Sequence, residues 1–460
     1  MEAYRSCNRG DLGVNARAIL LAAGKGTRMK SARPKVLHEL CGRPMLWFAI
    51  AALRDAGIEE IVVVTNEDLD PHVRAMNVRT VIQSEQLGTG HAVQVALAAM
   101  EPRPEACVLV TNGDMPLVRA ETLAAVLAAG NEGEASLVTA RMPLPSNFGR
   151  ILRSGNRVAR IVEVRDASAS ERAIEEMNAG IYAFPEGRLR EAISRLRNEN
   201  AQGEYYLTDA IAFFADSGRA AVPLIAEDFE EVLGVNDRSE LARARAALND
   251  RLCRQHMLAG VTIIDPRTTY LEPELSIGAD TVIYPGTTIS MLSSIGARCT
   301  IGPHARISAA RIGDDVSVRE SVVVESEIGS GSTVGPFAHV RGHAVLVGEN
   351  RVGNFVEIKT SRYERGAKSA HLSYIGDAEI GEESNIGAGT ITCNYDGKAK
   401  HRTTIGKRVS IGSNTSIVAP RTIGDDALTG AGSVVTKDVP PGERVAGNPA
   451  RSLRERPNGG

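Results

Sequence analysis

Residues 276–308 read SIGADTVIYPGTTISMLSSIGARCTIGPHARIS. Within them Ile277, Ile283, Ile289, Ile295, Ile301 and Ile307 recur at every sixth position without a break, and glycine often follows, as in Ile295-Gly296 and Ile301-Gly302. The register slips and resumes at Ile312, Val318 and Val324, then at Ile328, Val334 and Val340, and again at Ile405, Ile411, Ile417 and Ile423. A repeated six-residue unit with one inward aliphatic is the signature of a parallel β-helix. Each unit forms one flat face, three faces close a coil, and stacked coils bury the aliphatics in ladders. The period leaves the hand of the coil open, since right-handed crossovers are only the general rule for parallel strands.

Working outward, the repeat is interrupted between Val340 and Ile405. Phe337–Arg341 and Asn354–Lys359 lead into SRYERGAKSAHLSYIGDAEIG, followed by NIGAGT from Asn385 and NYDG from Asn394. A loop leaving a regular solenoid is usually functional. His371 sits in this interruption, and a neutral imidazole suits removal of a proton from an amine. A lone histidine in a loop is nevertheless more often a surface group.

Upstream of about residue 245 the pattern is different. Apolar runs such as Ala18–Ala23, Ile61–Thr65 and Cys107–Thr111 alternate with helix-like segments such as Pro44–Ala56 and Ala120–Ala129. That alternation predicts a mostly parallel, Rossmann-like sheet covered on both faces. Ligands of such sheets lie beyond the carboxyl ends of the strands, so the loops after Ala23 and Thr111 are the places to look. Arg238–Met257 has helical spacing and reads as a linking helix. The expected division is an extension over residues 1–15, an α/β domain over 16–237, a linker over 238–260 and a β-helix over 261–460.

Composition agrees with two domains, since 460 residues exceed one ordinary core. The net charge of −3 offers no basic field for nucleic acid, and 4% aromatics leave few stacking platforms. The six cysteines form no C-x-x-C pair, which fits a reducing cytoplasm, and no apolar run has the length of a membrane span.

The loop after Ala23 belongs to the string Leu21-Ala22-Ala23-Gly24-Lys25-Gly26-Thr27-Arg28-Met29, followed by Pro34-Lys35. It is neither a Walker A motif nor a dinucleotide fingerprint. Small residues after a strand still let backbone N–H groups approach phosphates, and Lys25, Arg28 and Lys35 add charge. In QSEQLGTGH, residues 83–91, Gln83 offers an amide to a base edge, while Gly88 and Thr89 permit a close backbone. Asn112-Gly113-Asp114 puts a carboxylate at a strand end, where it suits Mg²⁺. Alone, the first and last of these are more simply turns, and the loop of residues 83–91 is balanced between a plain loop and a base contact.

In order along one chain, these strings resemble the bifunctional N-acetylglucosamine-1-phosphate uridylyltransferase/glucosamine-1-phosphate N-acetyltransferase family, over roughly residues 16–450. The resemblance implies a left-handed β-helix and two-step synthesis of UDP-N-acetylglucosamine, a precursor for peptidoglycan and lipopolysaccharide. Acetyl-CoA and UTP would be the co-substrates. It assigns Leu21, Ala22, Gly24, Lys35, Gln83, Gly88, Thr89, Asn112 and Gly113 to the nucleotide. Asp114 and Asn236, the latter in Gly234-Val235-Asn236, would hold Mg²⁺, with Arg28 and Lys35 catalytic. Gly149 in NFGRI, Glu163 in RIVEVRDA, Asn178 in MNAGIY and again Asn236 would bind the sugar, and the string NAQGEYYLTD from Asn200 also matches.

In the second half the resemblance makes His371 the base. Arg341, Lys359, Tyr374, Asn385 and Lys400 would hold the acetyl acceptor, and Ala388, Asn394, Tyr395, Ser413 and Ala431 the acetyl-CoA. It also implies a cytoplasmic homotrimer acting on small molecules, without nucleic acid or membrane. Two positions depart from the family: Asn112 where tyrosine is frequent, and Asn448 where some relatives have arginine. Two other readings are a related enzyme with a different nucleotide or sugar, and a non-catalytic regulatory scaffold of similar plan.

Overall fold

The computed structural model describes residues 15–130, 133–290 and 292–453. The extension expected over residues 1–15 lies outside these apart from Asn15. The chain forms two compact units that divide between Ala247 and Leu248.

The first unit is built on strands β1 (Ala16–Leu21), β2 (Glu60–Thr65), β3 (Arg79–Ile82), β4 (Cys107–Asn112), β5 (Ser136–Arg141), β6 (Arg150–Ser154), β7 (Arg157–Val162), β8 (Glu176–Pro185) and β9 (Val222–Ile225). Its sheet order is β9-β5-β8-β4-β1-β2-β3, and the β6–β7 hairpin joins through β8. All neighbours on that path are parallel except β8, which runs antiparallel to β4 and β5. The inner strands ARAILL, EIVVVT and CVLVTN are near-continuous aliphatic runs because both of their faces are covered. Helices α1 (Met45–Asp55) and α3 (Ala120–Gly130) bury Leu46, Ile50, Leu123 and Val126 against one face. Helices α2 (Thr89–Ala99), α4 (Glu186–Ser194) and α5 (Asp209–Asp216) bury Val93, Leu189 and Phe214 against the other. Leu21 pairs with both Val64 and Asn112, so β1, β2 and β4 end together and form one carboxyl edge. A further helix, α6 (Arg238–Leu258), runs across the division.

The second unit is the parallel β-helix that the six-residue period predicts. Val282–Ile283, Thr288–Ile289 and Ser294–Ile295 form one turn, one strand to each face. Each strand pairs in parallel with its equivalent one coil later, as Ile283 with Ile301 and Ile295 with Ile312. The inward ladder Ile283, Ile301, Val318, Val334 and Val352 is buried throughout.

The interruption expected between Val340 and Ile405 is corrected by the structure. Arg351–Lys359 and Lys368–Gly376 are long strands that pair in parallel and carry the coils straight through, so His371 lies on a strand and not in a loop. The period was hidden because three inward positions are not aliphatic, one of them the fully buried Thr392, which pairs with Ile417. Tyr363 stands in the ladder between Leu346 and Ile380, and Ser369 in the ladder between Val352 and Ile386. Both are fully buried, and the Tyr363 hydroxyl lies 2.8 Å from Ser369 Oγ. A large residue paired with a small one keeps the volume of the core, and their hydrogen bond satisfies both polar atoms. A true excursion follows at residues 394–401, a hairpin closed by an antiparallel bridge between Tyr395 and Lys400.

Candidate active sites

The loop after β1 turns at Gly26 with a left-handed φ of 57°. A Cβ there would stand 2.5 Å from the Cβ of Lys35, so glycine is what lets the loop close over the lysine stem. A cavity of about 240 Å³ opens at the carboxyl edge of the sheet. Leu21, Ala22, Gly24, Lys35, Gln83, Gly88, Thr89, Asn112 and Asp114 line it, together with Gln86 and Glu204, which sequence reasoning did not single out. Gly113 is not among the lining residues, and its N–H donates to Leu21 O at 2.8 Å.

Gln83 is buried, and its Nε2 lies 3.3 Å from Gly88 O and 3.0 Å from His91 Nδ1. The segment around Tyr205 docks on the same loop, Gly90 N–H donating to Tyr205 O and Tyr205 N–H to Leu87 O. This brings the string NAQGEYYLTD against the loop of residues 83–91. At Gly88, φ is 108° and a Cβ would stand 2.6 Å from Tyr205 O, so a side chain would force the two segments apart.

Lys35 donates to Asp114 Oδ2 at 2.5 Å and to Asn236 Oδ1 at 3.2 Å. The carboxylate and the amide oxygen therefore converge on one cation-sized point. Asn236 is held there by the start of α6. Its own N–H donates to Glu240 Oε2 at 2.6 Å, while Asp237 caps the helix by accepting from Ser239 N and Glu240 N. Val235 N–H donates to Asp114 O at 2.9 Å, tying the two segments together. Arg28 lies apart from this group, exposed in the short turn Thr27–Met29, and has no side-chain bond among the described residues.

Gly149, Glu163 and Asn178 come together at the β6–β7–β8 junction. Asn178 N–H donates to Gly149 O at 2.9 Å, and a Cβ on Gly149 would lie 3.4 Å from Glu163 Oε1. Glu163 is largely buried, and its one side-chain bond among the described residues is a long one, 3.5 Å from Thr208 Oγ1. Burial raises its pKa, the charges of Asp166 and Asp209 add to this, and the Thr208 hydroxyl opposes it. Such a carboxylate has acceptor capacity to spare. Gly180 lies between this group and the cavity: its N–H donates to Asn178 Oδ1 at 3.1 Å, and a Cβ on it would stand 2.7 Å from Asn112 Nδ2.

In the β-helix, His371 Nδ1 lies 2.7 Å from Asn354 Oδ1 on the preceding coil. With the amide oxygen accepting, the proton sits on Nδ1 and Nε2 carries the lone pair. Asn354 opens the stretch Asn354–Lys359, but nothing in the sequence marks it as the partner of His371. Arg341 reaches Glu357 through Nε at 2.8 Å and Nη2 at 2.6 Å. Lys400 has its pKa lowered, first by its hydrogen-bond contact with Lys359 and then by that neighbour's charge, with Asp377 and Tyr374 opposing. An exposed Lys400 in contact with a half-buried Lys359 makes a site for an anion. Asn394 Nδ2 contacts the Asp377 carboxylate and lies 3.4 Å from Tyr374 Oη, which joins the base of the hairpin to the same cluster.

The coil register lines up another set. Lys368, Asn385, Ser410 and Leu428 pair in succession, and His371, Ala388, Ser413 and Ala431 each stand three residues beyond them. They form one column along a corner of the helix, with the small residues stacked beyond the histidine. Asn385 exposes its side chain on the neighbouring face. Tyr395 is exposed in the hairpin, its hydroxyl donating to Gly397 O at 2.8 Å.

An α/β unit with a phosphate loop and a carboxylate at its strand ends, followed by a hexapeptide β-helix with a presented imidazole, defines a nucleotidyltransferase joined to an acyltransferase. Comparison with known families agrees. Residues 18–174 match the MobA-like NTP transferase domain, and residues 402–437 match the bacterial transferase hexapeptide of six repeats. Bifunctional protein GlmU from Geobacillus sp. (strain WCH70) is 46% identical over 432 residues, covering 93% of this chain and 94% of the relative. Those from Trichlorobacter lovleyi and Heliobacterium modesticaldum are also 46% identical, over 92% and 95% of this chain and 94% and 96% of theirs. The chain belongs to the GlmU family. It is a bifunctional enzyme of UDP-N-acetylglucosamine synthesis, with uridylyltransferase and acetyltransferase activities, and the scaffold reading is set aside. Among the described residues no helix is long and apolar enough to cross a membrane.

Proposed function

We propose that the β-helix acetylates glucosamine-1-phosphate and that the α/β unit then uridylylates the product, through the residues described above. The observation that carries this is the gathering of the expected nucleotide residues around one cavity bounded by Lys35 and Asp114. Gln83 suits a uracil edge, because its Oε1 has no partner among the described residues while Nε2 is engaged by the loop. Gly149, Glu163 and Asn178 hold the N-acetyl sugar, whose hydroxyl donors meet the under-bonded Glu163 carboxylate.

Asp114 and Asn236 supply hard oxygen donors that meet at one cation, a donor set that fits Mg²⁺. When bound, the ion neutralises phosphate charge. Lys35, released from Asp114, turns its own charge to the nucleotide phosphates, and Arg28 approaches them from the exposed turn. An oxygen of the sugar phosphate attacks the α-phosphorus of UTP, the P–O bond to the leaving group breaks, and pyrophosphate departs. Positioning and charge account for most of the rate in such transfers.

In the β-helix, Arg341, Lys359 and Lys400 hold the sugar phosphate, with Tyr374 and Asn385 at its edge. His371 Nε2 takes a proton from the amine as its nitrogen attacks the acetyl carbonyl. A C–N bond forms, the C–S bond breaks, and CoA leaves. Asn354 keeps the reactive tautomer in place. The column Ala388–Ser413–Ala431 leaves room for the pantetheine arm, and Asn394 and Tyr395 stand beside it. We further propose a homotrimer acting in the cytoplasm. Phe337 and Phe355 stack at 5.5 Å on the corner beside His371, and with Leu372 they are 55%, 57% and 63% exposed, an apolar strip suited to a neighbouring copy.

One reaction tests both halves: purified protein with glucosamine-1-phosphate, acetyl-CoA, UTP and Mg²⁺, followed by mass spectrometry. The proposal expects UDP-N-acetylglucosamine, free CoA and pyrophosphate. Acetylated sugar phosphate that is not consumed would contradict the N-terminal assignment, and no acetylation would contradict that of His371.

A further inference from the structure

Arg150 opens β6 directly after Gly149 and is 2% exposed. Among the described residues it has no acidic partner. Its guanidinium bonds to three main-chain carbonyls instead: Nη2 to Ser146 O at 2.9 Å, Nε to Arg172 O at 3.3 Å, and Nη1 to Phe148 O. Burial pulls its pKa down, and the nearby charge of Arg172 adds to this. A buried cation without a counter-charge is costly, so its retention calls for a role.

The three carbonyls lie in two separate segments. Ser146 and Phe148 belong to the turn that presents Gly149, while Arg172 ends the short helix Ala169–Arg172. Arg172 donates in turn from Nε to Val164 O at 3.3 Å, and Val164 is the neighbour of Glu163. On its other side Arg150 pairs across the sheet with Met177, the neighbour of Asn178. The Arg150 guanidinium is thus bonded to the turn that carries Gly149 and to Arg172, whose own side chain holds the neighbour of Glu163, while the Arg150 backbone pairs beside Asn178. The three carbonyls are taken by three separate nitrogens of the planar guanidinium, a spread that the single nitrogen of an ammonium does not reproduce.

We infer that Arg150 is a positioning residue for the sugar-phosphate substrate of uridylyl transfer, with Arg172 relaying its hold to Glu163. This rests on the reading of Gly149, Glu163 and Asn178 as the sugar's contacts.

The test is uridylyl-transfer kinetics on full-length Arg150→Lys, Arg150→Met, Arg172→Met and Asn178→Ala. N-acetylglucosamine-1-phosphate is varied at saturating UTP, then UTP at saturating sugar phosphate. Arg150→Met raises the KM for the sugar phosphate by about tenfold, leaving that for UTP and the rate of acetyl transfer unchanged. Arg150→Lys recovers part of this. Arg172→Met, an exposed change that keeps the carbonyl Arg150 needs, shows a smaller rise in the same KM even if the Arg150 variants do not fold. A loss confined to kcat, an equal rise in both KM values, or a wild-type sugar KM in Arg172→Met with Arg150→Met unfolded or unaltered in that KM would overturn the inference. Asn178→Ala separates the two layers. If it raises the sugar KM and the arginine variants do not, the inference alone fails. If it leaves that KM unchanged, the reading of the sugar site fails as well.

Discussion

In the α/β unit the principal cation, Lys35, is already neutralised by Asp114, whereas in the β-helix Lys359 and Lys400 face each other. Both sites are read as phosphate sites, yet their resting charge is opposite in kind. The difference follows from how each fold brings residues together. A parallel sheet collects loops from distant parts of the chain at one edge, so a lysine and an acid 79 residues apart can meet and hold each other. In the β-helix, Lys400 from the hairpin meets Lys359 from a coil, and Asp377 offsets only part of their like charge. Under the proposed function, Mg²⁺ takes the place of Lys35 beside Asp114, while the sugar phosphate offsets the like charges of Lys359 and Lys400.

The largest break in this comparison is Asp114→Ala. It removes the carboxylate that serves both Lys35 and the proposed ion, and uridylyl transfer should fall about a thousandfold, with acetyl transfer untouched. His371→Ala is its mirror image. Acetyl-transfer kcat should drop about 10²- to 10⁴-fold, the range for loss of a general base, while uridylyl transfer of added N-acetylglucosamine-1-phosphate persists.

Lys359→Met sharpens the contrast in resting charge. The KM for glucosamine-1-phosphate should rise about tenfold, as one charge-assisted bond is lost. The Lys400 titration, followed by NMR, should move up as its like-charged neighbour disappears. The sign for the wild type follows from the lowered pKa. Bound phosphate favours the ammonium form, so the pKa of Lys400 is higher in the complex than in the free protein. Affinity is then full below the free value and lost as pH rises through the bound one. Between the two, binding takes up a proton, which calorimetry in two buffers of different ionisation enthalpy detects.

Glu163→Gln probes the buried acid. The raised pKa means that the folded protein binds more protons than the unfolded chain, so ionised Glu163 lowers stability as pH rises through its folded value. The variant should therefore resist urea better than wild type at neutral pH, with the advantage fading on acidification, while binding the sugar phosphate less well. The smallest effect is Tyr363→Phe, expected to cost about 1 kcal/mol in urea unfolding by removing the bond to Ser369.

The β-helix was legible where its inward residues are aliphatic, although counting by six picks Val324 where the structure buries Val323 in the ladder after Ile307 and leaves Val324 partly exposed. It became illegible at Tyr363 and Ser369, because a period defined by residue type cannot register a compensated exchange of volumes. That exchange made His371 look like part of a loop. The residues that line the cavity of the α/β unit were legible as strings, since its loops carry their glycines and lysines side by side. Contacts between distant strings were not. Nothing near Lys35 announces that its ammonium rests on Asp114 and Asn236, nothing near His371 names Asn354, and the carbonyls that hold Arg150 leave no trace in side-chain identity.

The central claim is that two self-sufficient sites act in sequence, one on each unit, and pairing the two inactive variants tests it most directly. Asp114→Ala supplied with glucosamine-1-phosphate, acetyl-CoA, UTP and Mg²⁺ should accumulate N-acetylglucosamine-1-phosphate, and His371→Ala should leave its substrates unchanged. Mixed in one tube, the two should form UDP-N-acetylglucosamine. Failure of the mixture to form it, with each variant still competent in its other half-reaction, would contradict the account.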